Sequence, residues 1–384
     1  MVGELDFLMP TKLVFGEGRL KEVGEKVKGY GKKALLVTGR KAMKKLGLTH
    51  QVIEYLKAEG VEAVLYDKVE SNPSKQTVNT GGELAKGKGC DVIVVLGGGS
   101  ALDAAKGIAV VAKYGGDVWD YMGEGNVPGP VLPLVGIPST AGTGSETTPY
   151  AVITFKEKKM KYFMASPYIF FKVAIVDPLV MMSVPRYITA YTGMDAFTHA
   201  AEAYTSRMAQ PISDRLALQA IELAAGSLPQ VVMNGNNLEA RTNMALASSL
   251  AGMAIAQAGC GNAHGLGEPL GGFFETDHGA VVGLLLPHVM EYNILTNPDK
   301  FINIAKVMGE KVDGLSLRSA AMKAVEAVRN LLVDIGLPQR LRDLGVKKEV
   351  IPEMAEEVMR RNPNGESART VGLKDVKYLF QRAF

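Results

Sequence analysis

The chain has 384 residues, of which 47% are apolar and 22% charged, with a net charge of +3. Such a balance is ordinary for a globular protein of two or three domains with sizeable cores. It is too mild for nucleic acid or an anionic membrane surface to be the main partner.

The first half alternates in kind. Residues 12–15 read as a short N-terminal strand, 34–38 as a buried strand, 50–59 as a helix and 62–66 as a strand. A helix is expected at 77–86, then the continuous β-branched run 91–96, whose lack of alternation marks a strand buried on both faces. Gly97-Gly98-Gly99-Ser100 ends that run, a helix is expected at 101–113, and a strand at 131–137 is stopped by Pro138. Strands alternating with helices imply a parallel sheet built from βαβ units. The basic stretch at 156–161 reads as a solvated hairpin. Near Asp177-Pro178 the texture changes to long Ala/Leu/Met-rich stretches at helical spacing, at 189–207, 213–232, 238–257, 315–333 and 348–361, broken by Pro, Gly and Asn. The expected organisation is an α/β domain over residues 1–180 and an all-helical domain over 181–384, with a cleft between domains the usual place for a site.

Cys90 and Cys260 form no CxxC pair, so no disulfide framework is expected and a reducing compartment is the simple reading. The first six residues lack the basic start and apolar stretch of a signal peptide. No apolar run of about 18 residues stands out, so a cytoplasmic protein without a membrane span is expected.

Two loops have the chemistry of phosphate cradles. In Gly97-Gly98-Gly99-Ser100, glycines let backbone approach a pyrophosphate, and the helix behind offers free N–H groups and a positive dipole end. The run is not the standard dinucleotide fingerprint, because Leu102 stands where the third glycine would fall, and a plain strand-to-helix turn is the alternative. Ser139-Thr140-Ala141-Gly142-Thr143-Gly144-Ser145 crowds four hydroxyls and two glycines into seven residues. It suits phosphate or ribose oxygens, with a Ser/Thr-rich turn as the alternative.

Among five histidines, His199 lies four residues after Asp195, which puts both on one helix face. His264 follows a glycine-rich loop and His278 comes fourteen residues later, past Pro269, Gly271 and Gly272, where a helix break would let both approach the first pair. A carboxylate with three imidazoles suits Fe²⁺, Zn²⁺, Mn²⁺ or Co²⁺ rather than Ca²⁺ or Mg²⁺. Asp-x-x-x-His on a helix is also common by chance, as a first-turn Asp beside a packed His. His50 reads as a surface residue and His288 as a helix-start residue.

The chain resembles the iron-containing (group III) alcohol dehydrogenases, a branch of the dehydroquinate synthase-like superfamily. The resemblance rests on residues 96–106 (LGGGSALDAAK), 138–146 (PSTAGTGSE), 195–202 (DAFTHAAE), 262–271 (NAHGLGEPLG) and Asp277-His278-Gly279, in order along essentially the whole chain. It implies an α/β nucleotide-binding domain and a helical metal-binding domain, with the active site between them. It implies that Asp195, His199, His264 and His278 hold Fe²⁺ or Zn²⁺. It also implies cofactor contacts from Asn72, Gly97, Gly98, Gly99, Ser100, Asp103, Thr140 and Thr143, from Lys161 near the nicotinamide ribose, and from Leu179. A homodimer is implied as well, with residues 12–15 a candidate edge for pairing.

Two positions depart from the family pattern. Where relatives often carry Asp after the first strand of the domain, this chain has Gly39, followed by Arg40 and Lys41. A carboxylate there would repel a 2′-phosphate, so NADP(H) is expected over NAD(H). Where many relatives have a second histidine, this chain has Glu268, read either as a proton relay or as a residue that reshapes the pocket. The expected activity is hydride transfer between a primary alcohol and NAD(P). The alternatives are a zinc glycerol or polyol dehydrogenase on the same scaffold and a dehydroquinate synthase-like metal lyase.

Overall fold

The computed structural model describes residues 5–155, 160–273, 276–361 and 363–384; most of the expected basic hairpin tip lies outside them. The chain divides into two compact units, Met9–Thr140 with Gly144–Ser183, and Val184–Phe384 with Ala141–Thr143 and the N-terminal segment to Leu8.

The first unit is built on strands β1 (Lys12–Phe15), β2 (Lys33–Gly39), β3 (Glu62–Val69), β4 (Val92–Gly97), β5 (Leu134–Pro138), β6 (Tyr150–Phe155), β7 (Met160–Ala165) and β8 (Val173–Val176). Six of them form one sheet in the order β1-β8-β5-β4-β2-β3, with every pairing parallel. The register sets Val94 of β4 beside Leu36 of β2 and Val135 of β5. Successive residues then point to opposite faces. Leu35, Val37, Ile93 and Val95 pack on helices α2 (Lys75–Lys88) and α3 (Gly99–Tyr114), while Ala34, Leu36, Val92 and Val94 join Val52 and Leu56 of α1 (Leu48–Ala58). Both faces are covered, which is why these strands read as unbroken apolar runs. Strand β8, only four residues long and directly before Asp177-Pro178, is not evident from sequence. Its Val173 and Ala174 pair with Val135 and Gly136, and it carries β1 at the sheet edge.

Strands β6 and β7 pair antiparallel in a second sheet, with Thr154 opposite Lys161, and Gly123–Glu124 adds a short parallel strand beside β7. Trp119 packs edge-on against Phe155 and Tyr162, with ring centroids 4.5 and 4.9 Å away. Lys106, fully buried on α3, ties this region down. Its ammonium donates to Ser145 Oγ at 2.9 Å, to the Thr148 carbonyl at 3.0 Å, and to the Tyr150 carbonyl. Burial pushes that amine down to about 8, against the pull of Asp103 and Glu146.

The second unit is helical: α4 (Arg186–Thr205), α5 (Pro211–Met233), α6 (Leu238–Ala258), α7 (Asn262–Phe273), α8 (His278–Asn293), α9 (Pro298–Val307), α10 (Leu317–Asp334), α11 (Ile351–Arg360) and α12 (Leu373–Ala383). One apolar cluster joins them, with Phe197, Leu228, Met244, Leu266, Leu285, Phe301, Val328 and Phe380 at its centre. Helix α5 is long and apolar enough to cross a membrane, with mean hydropathy 1.3 over its most apolar window, although no such run stands out in the sequence. It is a core helix here: Ala217, Ile221, Ala224, Leu228 and Val231 are all buried in the cluster.

Candidate metal centre and nucleotide loops

Helix α4 carries Asp195, His199 and Glu202 at i, i+4 and i+7, on one face and all buried. His264 lies in the first turn of α7, and His278 is the first residue of α8. The fold brings these side chains together. Asp195 Oδ1 lies 3.6 Å from His264 Nε2 and 3.8 Å from His278 Nε2, and Asp195 Oδ2 lies 4.0 Å from His199 Nδ1. One donor atom each from Asp195, His264 and His278 falls within 4.8 Å of the others. His199 stacks on His264, centroids 4.4 Å apart, and its donor atom groups with those of His264 and Cys260. Side-chain exposure is 6% for Asp195, 7% for His264 and 9% for His199, but 35% for His278.

Glu202, to which the sequence alone assigns no role, organises this cluster. Its carboxylate accepts from the backbone N–H groups of Gly261 (2.9 Å) and Ala263, and it lies 2.6 Å from His264 Nδ1. It therefore caps α7 with negative charge at the positive end of the helix dipole and fixes the ring that follows. With an ion bound, Nδ1–H directed at Glu202 would leave the Nε2 lone pair of His264 free to face it. An acidic residue one turn beyond His199, on the inward face of an alanine-rich helix, was the available signal.

Burial alone would raise the Asp195 carboxyl, but His199, His264 and His278 more than reverse this and hold it well below the usual range. Burial pushes His199 down to about 4, against the attraction of Asp195. Burial acts to lower His264, yet Cys260, Glu202 and Asp195 together raise it well above its ordinary value. The environment at His264 thus favours positive charge.

Asp195 Oδ1, His199 Nδ1 and His264 Nε2 are buried and make no hydrogen bond. Orphaned polar atoms of this kind are rare and costly. His264 Nε2 lies 3.6 Å from Asp195 Oδ1 and His199 Nδ1 lies 4.0 Å from Asp195 Oδ2, distances too long for hydrogen bonds. Two donors on one tetrahedral ion with bonds of about 2.1 Å would stand roughly 3.4 Å apart. These residues therefore fit a divalent transition-metal ion.

The approach of α8 to α4 depends on Gly279. A Cβ there would fall 2.0 Å from the Tyr191 carbonyl oxygen and 3.1 Å from Asp195 Cβ. Gly279→Ala should push the start of α8, and His278 with it, away from Asp195. The expected cost is about 1–3 kcal/mol of stability from overpacking, with weaker metal retention, read by thermal melting and metal analysis. Unchanged metal content would count against this placement of His278.

A family model described as iron-containing alcohol dehydrogenase matches residues 10–178, and one for the C-terminal part of that family matches residues 189–384. The 1,3-propanediol dehydrogenase of Klebsiella pneumoniae is 43% identical over 382 residues, covering 99% of this chain and 98% of its own. The NAD-dependent methanol dehydrogenase of Bacillus methanolicus is 37% identical over 98% of this chain and 99% of its own. The crystal structure of a 1,3-propanediol oxidoreductase superposes with a TM-score of 0.95 at 42% identity, covering 100% of both chains. The chain belongs to the iron-containing alcohol dehydrogenase family. It is an enzyme of the alcohol dehydrogenase and aldehyde reductase type, with the family's parallel sheet followed by helices.

The residues that the family pattern links to the dinucleotide fall into two groups. Gly97 ends β4, Gly98 caps α3, and Gly99 and Ser100 open that helix. A Cβ on Gly97 would lie 2.6 Å from Ala101 Cβ, which requires glycine at that turn, and one on Gly98 would lie 3.0 Å from Thr140 Oγ1, a tight contact to which the hydroxyl would have to yield. Asn72 adopts positive φ (54°) and donates its backbone N–H to Ser100 Oγ at 3.1 Å, which brings the β3 loop to the same helix start. Gly39 ends β2 beside exposed Arg40. In the second group, Asp103 has both oxygens engaged, by Ser145 Oγ at 2.7 Å and the Val152 N–H at 3.0 Å. It therefore braces the second loop from within. Lys161 is half-buried on β7, and its charge acts on Asp103. Leu179 is 47% exposed just after β8, Thr140 is half-buried, and Thr143 lies in the segment Ala141–Thr143 that belongs to the helical unit. Glu268 is exposed on α7, four residues after His264.

Proposed function

We propose that this enzyme oxidises primary alcohols and reduces the corresponding aldehydes with NADP(H), using one divalent ion, Fe²⁺ or Zn²⁺, held by Asp195, His199, His264 and His278. The observation that carries this reading is that orphaned, buried donor atoms of Asp195, His199 and His264, from two helices, gather beside His278 at the start of a third. Bound there, the ion would act as a Lewis acid, easing proton loss from an alcohol or polarising an aldehyde carbonyl. Asp195 supplies the one negative charge of the set, and Glu202 keeps His264 oriented. The turn Gly97–Ser100 would take the pyrophosphate at a helix N-terminus, and the nicotinamide would accept the hydride. Lys161 is assigned to the nicotinamide ribose. Glu268, on the side of α7 that carries His264, is assigned to proton relay. The test is anaerobic purification, metal analysis, and reduction of NADP⁺ by a short primary alcohol before and after chelation. Activity that survives removal of all metal would sink it.

The NADP(H) preference is supported by the missing carboxylate at Gly39. Arg40 donates to the Lys68 carbonyl at 3.1 Å and lies 3.5 Å from Glu70 Oε2. Arg40 is exposed although Glu70 is largely buried, and releasing so long a contact costs on the order of 1 kcal/mol, less than a 2′-phosphate paired with Arg40 and Lys41 would return. The expectation is a higher kcat/KM with NADP⁺ by roughly tenfold, a difference of about 1.4 kcal/mol. A tenfold preference for NAD⁺ refutes it. A homodimer pairing through the β1 edge, and a cytoplasmic location, belong to the same reading.

A further inference from the structure

We propose that Cys260 adds a second, softer ion site at the metal centre, in which its thiolate, with His199 and His264, binds a zinc-class ion in competition with the Asp195-centred set. The inference rests on the metal reading above and extends it to a residue that no part of that reading uses. Cys260 Sγ and one ring nitrogen each from His199 and His264 lie within 4.8 Å of one another. The thiol is held in place through its backbone. The Cys260 carbonyl accepts from the Glu366 N–H at 2.8 Å, and the preceding Gly259 closes α6 at positive φ (66°). His199 is buried, its Nδ1 has no hydrogen-bond partner, and one of its ring nitrogens groups by distance with Cys260 and His264.

Two imidazoles and a thiolate form a softer set than a carboxylate with imidazoles, and thiolate ligation favours Zn²⁺. Both sets use His264, so one ion excludes the other. Binding breaks the S–H bond and forms a sulfur–metal bond, and the proton passes to buffer. No electron is transferred.

The test begins with metal-free full-length protein titrated with Co²⁺. Visible d–d bands report occupancy of any site, and near-ultraviolet thiolate-to-cobalt charge transfer reports sulfur ligation. Both are expected in the unaltered protein, with only the charge-transfer band lost in Cys260→Ser. Zn²⁺ affinity should fall at least about tenfold in that variant, while Fe²⁺ affinity is unchanged. X-ray absorption of the Zn²⁺-loaded unaltered protein needs no variant, and one sulfur at about 2.3 Å is expected. Visible bands without charge transfer, or a zinc shell without sulfur, would overturn the thiolate site and leave the Asp195-centred reading standing. No Co²⁺ binding at all would overturn both.

Discussion

Asp195→Asn should lose its metal and cut kcat/KM by on the order of a thousandfold or more. Asparagine keeps the shape of the side chain, so the helical core around α4 has no cavity to close. What would disappear is the one anionic donor of the proposed set. Lewis-acid stabilisation of developing charge amounts to several kcal/mol, and each 1.36 kcal/mol is tenfold in rate. The check is metal content per chain together with steady-state kinetics, with circular dichroism to confirm folding. A folded variant that binds no metal yet turns over at a tenth of the normal rate would remove the ion from the chemistry.

Glu202→Gln should act through His264. The carboxylate has three donors around it, two backbone N–H groups and the His264 ring, inside a fully buried pocket. An amide cannot accept at both ends, so its NH₂ must face one of those donors. Leaving a buried charged partner uncompensated costs about 3–5 kcal/mol, and loss of the outer partner of a ligating histidine costs about 10–100-fold in metal affinity. Competition with a graded series of chelators would measure the second effect, and chemical denaturation of metal-free protein the first. Wild-type values for both would mean that Glu202 is a helix cap and nothing more.

Much of this was legible in the sequence. The β-branched run that became β4 could be read because a strand covered on both faces needs no polar alternation. Asp195 and His199 could be placed together because four residues make about one helical turn. The remainder depends on interactions between distant segments. Strand β8 is short and has no periodicity of its own; it exists because β5 and β1 pair with it. Helices α7 and α8 were not evident because glycine and proline interrupt them, yet glycine is what lets α8 meet α4 at Tyr191. Asp103 matches a cofactor motif, while its hydrogen bonds point into the fold, and no local signal reveals that direction.

The uneven exposure of the four candidate ligands has a consequence for traffic. Asp195, His199 and His264 are sealed from solvent, whereas His278 is open on one side and is the first residue of its helix. An ion held there would be open to solvent on the His278 side, so chelators and oxidants would be expected to act first at that imidazole. Release of His278 would leave the three buried donors still gathered on α4 and the start of α7, a site able to bind again.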